Sequence, residues 1–186
     1  MDVALTWDLV IVAGFAVIFA YNLMLGQRDT VKLIICTYMS MMAADGIAGT
    51  IKTYIFDTSL GLQATFGDQE VAIFTWMRLL LFILIIILFV VKSGFHVDLD
   101  RHEKMVIRVL IHALFSGILA LLLLATVVVY LGGISVTEGL LFARDLEIYE
   151  SSIVARILLD HLQIWFTLPA LAFLITSFFH GPKEVE

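Results

Sequence analysis

Three ionisable residues stand alone inside long apolar runs, and they are the first candidates for chemistry. Asp45 is the one charged residue between Leu33 and Ile51, Arg78 between Val71 and Val91, and Asp160 between Ile157 and Pro182. A charge held at membrane depth costs about 2.5–3.5 kcal/mol on insertion scales, so it pairs or it serves a purpose. Their neighbours are spaced to help. Asp45 and Lys52 are seven apart, hence on one side of a helix, with Gly49 between them. Arg156, Asp160, Gln163 and Thr167 follow 4-3-4 spacing and make one polar stripe, with His161 beside it. At 1.5 Å per residue, Asp45 falls near the middle of its run, and Arg78 and Asp160 fall within about 8 Å of theirs, on the same side. The expectation is a central Asp45–Arg78–Asp160 cluster, with Lys52 and Arg156 nearer the rim and His161 and Gln163 alongside. Such a cluster can be a structural ion pair, an ion or proton path, or a docking site for another membrane subunit.

Other constellations are weaker. His112 and His161 would be a bis-histidine haem pair only at one depth. The alternation of helices instead puts them in opposite leaflets, about 15 Å apart, so no cofactor is expected. His96, Asp98, Asp100 and His102 would share one side of an extended segment, and imidazole with carboxylate suits zinc or manganese. The plainer reading is a solvated lead-in whose acids favour the start of the next helix. Met39, Met41 and Met42 read as packing residues. The chain has no Gly-rich phosphate loop, His-Glu-x-x-His or Gly-x-Ser-x-Gly. Asp160 and His161 diverge by about 100° on a helix and have no nucleophile beside them. Cys36, the one cysteine, excludes an internal disulfide. The sequence therefore reads as non-catalytic.

The elements that must position these residues follow from composition. Of the 186 residues, 61% are hydrophobic and 15% charged, against roughly 45–50% and 25% in soluble domains. The net charge of −6 argues against a nucleic-acid partner. Five runs are long enough to cross a bilayer core, which needs roughly 20 apolar helical residues. The spans fall near 6–26, 32–55, 71–92, 105–132 and 152–179. The run Leu79–Ile87 is apolar on every side and cannot alternate as a barrel strand does. The fold expected is an all-α polytopic helix bundle of one domain. Its fifth span is partly amphipathic and open to lying in the interface, with a kink at Pro169.

Basic residues set the orientation. The first connection holds Arg28 and Lys32, and the third holds Lys92, Arg101, Lys104 and Arg108. The second, from Asp57 to Glu70, holds three acids and no base. The positive-inside rule then puts the amino terminus outside and the carboxyl terminus in the cytoplasm. Trp7, Tyr21, Tyr54, Trp76 and Tyr130 fall at the rims, where aromatic rings anchor. Ser40, Ala44 and Ala48 form a small-residue ladder that lets another helix approach closely.

Asp8 opens span one, Gly26-Gln27-Arg28 makes the basic turn, and Asp100-Arg101 precedes a span containing Gly117-Ile118-Leu119-Ala120. In these short motifs, over about residues 6–132, the chain resembles the colicin V production family of small bacterial inner-membrane proteins. It departs from that pattern in Asp45, Arg78, the fifth span, and a turn without the family's second glycine. The resemblance implies a helical inner-membrane protein linked to secretion or envelope homeostasis, with no catalytic residue to carry over. The expected role is an accessory, assembly or scaffolding subunit whose partners are lipid and other membrane subunits or a second copy. The alternative is a small transporter or proton conductor using the Asp/Arg cluster, and a membrane enzyme is third.

Overall fold

The computed structural model describes residues 7–59, 69–92, 105–133, 135–136, 149–150 and 152–179. All regular structure among them is helical: α1 (Trp7–Leu25), α2 (Gln27–Ile51), α3 (Glu70–Lys92), α4 (Met105–Leu131), α5 (Ile153–Asp160) and α6 (Leu162–Phe179). A π-helical turn over Lys52–Phe56 extends α2. Four elements are long and apolar enough to cross a membrane, and α5 with α6, bent by 57°, makes up to a fifth. Four of the five expected spans are therefore matched by a helix of sufficient length and the fifth by the bent pair α5–α6, with ends within five residues of those predicted.

Two boundaries differ from expectation. Arg28 and Lys32 are not in a loop but in the first turns of α2, because Gly26 alone separates α1 from α2. Its φ of 94° is a conformation that side chains with a Cβ disfavour, so one glycine breaks the helix. The break in the fifth span lies at His161 (φ −108°, ψ 21°), two turns before Pro169. Pro169 is buried within α6. One turn before it, the carbonyl of Phe166 accepts a hydrogen bond from the Tyr38 hydroxyl of α2. That bond lies beside the position where the proline removes a backbone donor.

Contacts fix the directions. Lys32 donates to the carbonyl of Val90 (3.4 Å) at one end, and Lys52 pairs with Glu70 at the other, so α2 and α3 run antiparallel. Gly14 packs on Leu124 and His112 bonds the Leu23 carbonyl (3.3 Å), which makes α1 and α4 antiparallel. Ile34 clusters with Phe115, while Met41 meets Thr126 and Tyr130 further along, so α2 and α4 are parallel. The start of α1, the end of α2, the start of α3, the end of α4 and the start of α5 thus gather at one end of the bundle.

Small side chains close the centre. Ser40, Ala44 and Ala48 are fully buried, as the ladder predicts. The core joins Met41, Phe82, Ala125, Val129 and Leu158, and a second cluster joins Val31, Ile34, Phe115 and Leu119. Leu80, Leu84 and Leu88 on α3 face outward at i, i+4 spacing, which lipid tails tolerate as well as a core would. Helix threonines satisfy themselves: Thr37 and Thr126 donate to the carbonyls of Leu33 and Leu122, each at 2.8 Å. A hydroxyl bonded back to its own helix adds little cost in an apolar surrounding.

Candidate functional site

The site begins where α4 stops. Gly133 ends the helix at φ 81°, and its N–H donates to the carbonyl of Tyr130 at 2.9 Å, the usual way a glycine turns a chain out of a helix. There is no room for a side chain: a Cβ on Gly133 would lie 2.8 Å from Val71 Cγ1 and 3.0 Å from Thr75 Oγ1 of α3. This close approach puts the Gly133 carbonyl 3.1 Å from Nη1 of Arg78, which donates to it. Three residues on, the N–H of Val136 donates to Asp45 Oδ2 at 3.0 Å. The segment leaving α4 therefore binds α2 through Asp45 and α3 through Arg78.

Tyr130 completes the arrangement. Expected at the rim as an anchor, it is instead fully buried, with its ring edge-on to Phe82. Its hydroxyl donates to the Met41 carbonyl (3.2 Å) and lies within electrostatic reach of both Asp45 and Arg78. The other rim aromatics, Trp7, Tyr21, Tyr54 and Trp76, are exposed. A long apolar run ending in Tyr-Leu-Gly-Gly gives no signal that the tyrosine turns inward, because periodicity cannot separate faces when every face is apolar.

Asp45, Lys52 and Arg78 line one half-open cleft of about 730 Å³ between α2, α3, the segment after α4, and Phe166 of α6. Lys52 lies 2.7 Å from Glu70 Oε1 and over the ring of Phe74. Arg78 is 8% exposed, and its Nε is a buried donor with no hydrogen-bond partner.

Asp160 does not join Asp45 and Arg78. It is exposed at the α5–α6 break and accepts from the Tyr149 hydroxyl at 3.0 Å. Arg156 is exposed too, with its guanidinium 5.3 Å from the centre of the Tyr149 ring and its Nε 3.4 Å from that residue's carbonyl. Tyr149 thus links the first two members of the stripe. Gln163 and Thr167 lie beyond the 57° bend, exposed on α6, and Thr167 donates to the Gln163 carbonyl at 2.7 Å. His161 sits at the break, edge-on to Trp165. The candidate metal loop His96, Asp98, Asp100 and His102 lies outside the described residues.

No protein family, curated protein or solved structure matches this chain.

One more polar residue acts where sequence reasoning gave it only a place in a motif. Asp8, at the start of α1, accepts from Ser152 Oγ (2.5 Å) and from the N–H of Val154 (2.9 Å). Ser152 in turn accepts from the N–H of Ala155 at 3.0 Å. A serine at the N-cap followed by an acid on the first amides meets the donors that a helix start leaves open. Here the acid comes from another helix, so it sets where α5 begins.

Proposed function

We propose that this chain is a non-catalytic multi-pass membrane protein that works as an accessory or assembly subunit of a larger membrane complex. In this reading it lies in a bacterial inner membrane with its amino terminus outside, as its basic residues and its resemblance to the colicin V production family imply. The observation that carries the role is the outward-turned stripe Arg156, Asp160, Gln163 and Thr167 on α5 and α6. Polar side chains at membrane depth favour protein or water over lipid. Hydrogen bonds between such side chains are a common means of joining helices in lipid. The partner this face suits is another membrane helix that offers polar groups, from a different subunit or a second copy.

Cysteines placed singly at Gln163 and Thr167, in a Cys36→Ser background, test the role in native membranes. Crosslinking to a second protein from these sites, and not from the outward-facing Leu84 of α3, is the expected result. Equal crosslinking from all three positions, or none from any, would refute the role.

The cleft beside Asp45 and Arg78 favours a second reading, a proton or ion path. That path was expected to include Asp160, which stands outside the cleft, so the second reading retains two of its three groups. Ion flux by the purified protein in liposomes, lost in Asp45→Asn, would support it over the first.

A further inference from the structure

We infer that the cleft between α2, α3 and α6 is a binding site for a phosphate group, with Arg78 as its principal donor. A guanidinium carries five N–H donors. Among the described residues Arg78 makes one hydrogen bond, to the Gly133 carbonyl, and no ion pair. Its Nε is a buried donor without a partner. Arg78 lies eight residues into α3, roughly 12 Å along the helix. Within an apolar element at that depth an unmet charged donor is costly, and oxygens from a ligand would remove the cost.

The surroundings bear on the kind of ligand. Arg78 and Asp45 line the cleft together with Lys52, whose ammonium Glu70 already meets at 2.7 Å. Asp45 Oδ2 accepts from the Val136 N–H, and Oδ1, also buried, makes no hydrogen bond to Arg78. The planar fork of arginine matches the paired oxygens of a phosphate better than a point charge does. Met41, Met42 and Phe166 supply apolar wall on the same cleft, and its volume of about 730 Å³ is in the range of small-molecule sites. A phosphodiester lipid headgroup and free phosphate share this chemistry, and the test separates them.

The full chain, purified in a phosphate-free non-ionic detergent, is titrated by native mass spectrometry with three probes. These are dioleoylphosphatidylglycerol, diacylglycerol with the same chains, and inorganic phosphate. Expected is a 1:1 phosphatidylglycerol adduct retained at least tenfold better than diacylglycerol. Arg78→Gln lowers that retention at least tenfold, and Arg78→Lys lowers it less. Because Arg78→Gln also disturbs the Gly133 contact, Gly49→Leu serves as a second variant. Gly49 lines the cleft and a Cβ there meets nothing within 4 Å, so leucine occupies open space and leaves Arg78 in place. It is expected to abolish retention without lowering thermal stability. Binding of inorganic phosphate alone, lost in both variants, supports the site with a soluble ligand. Equal retention of phosphatidylglycerol and diacylglycerol, or of either phosphate probe by the wild type and Gly49→Leu, overturns the inference.

Discussion

Replacing Gly133 by alanine tests the central claim that the exit from α4 is built on one glycine. Two costs add. At φ 81° an L-residue sits in the left-handed region, which disfavours alanine by about 1–2 kcal/mol. The new Cβ also meets Val71 Cγ1 at 2.8 Å and Thr75 Oγ1 at 3.0 Å. Val71 is largely exposed and can rotate away, whereas Thr75 is buried. Forcing such side chains off their rotamers costs about 0.5–1.5 kcal/mol. The sum is about 2–3 kcal/mol, or roughly a hundredfold in the unfolding equilibrium. The assay is equilibrium unfolding in mixed micelles of dodecyl maltoside and sodium dodecyl sulfate, followed by the fluorescence of Trp7, Trp76 and Trp165. Gly49→Ala is the control, since its added methyl touches nothing within 4 Å. It should match the wild type or exceed it by up to about 1 kcal/mol, the helix preference of alanine over glycine. If Gly133→Ala unfolds together with Gly49→Ala, the glycine is not what positions Arg78 and Asp45, and the account of the site fails with it.

Three further outcomes follow from individual bonds. Asp8→Ala removes the acceptor for Ser152 and Val154 and should lower stability in the same unfolding assay; in a double-mutant cycle with Ser152→Ala the two losses should be less than additive, and full additivity would contradict the shared cap. Asp45→Asn keeps an oxygen for the Val136 N–H and should unfold near the wild type, whereas Asp45→Leu orphans that donor at about 1–3 kcal/mol; equal stability of the two by the same fluorescence assay would count against the bond. Pro169→Ala should leave the 57° bend between α5 and α6 in place, because the non-helical residue is His161; spin-label distances across the bend that lengthen in Pro169→Ala would move the hinge to the proline.

The number and extent of the spans could be read from hydropathy because a membrane helix must satisfy its backbone internally over a fixed thickness. The small-residue ladder was readable for a related reason: Ser40, Ala44 and Ala48 signal a buried face by size alone, even where polarity is absent. Helix faces elsewhere were not. Tyr130 looks the same in sequence whether it points to lipid headgroups or to Met41, since α4 is apolar all round. Asp45 and Arg78 were found because charge is expensive at that depth, yet their partners proved to be backbone groups of Gly133 and Val136, which no side-chain pattern announces. Asp160 shows the complementary failure. Its spacing predicts one stripe with Arg156, Gln163 and Thr167, and all four are exposed. The 57° bend at His161, however, divides them between α5 and α6, and the rotation of α5 depends on how it is held. Asp8 fixes the start of α5 from another helix, and a one-residue break at His161 follows its end, with no glycine or proline there to mark it. The distinction has a functional consequence. Asp45 and Arg78, turned inward, are met in part by the backbone of Val136 and Gly133, whereas Arg156, Asp160 and Thr167 on α5 and α6 find partners at Tyr149 and Gln163 yet stay exposed. The inward set therefore argues for a ligand and the outward set for a partner, and the two can be tested apart because no residue belongs to both.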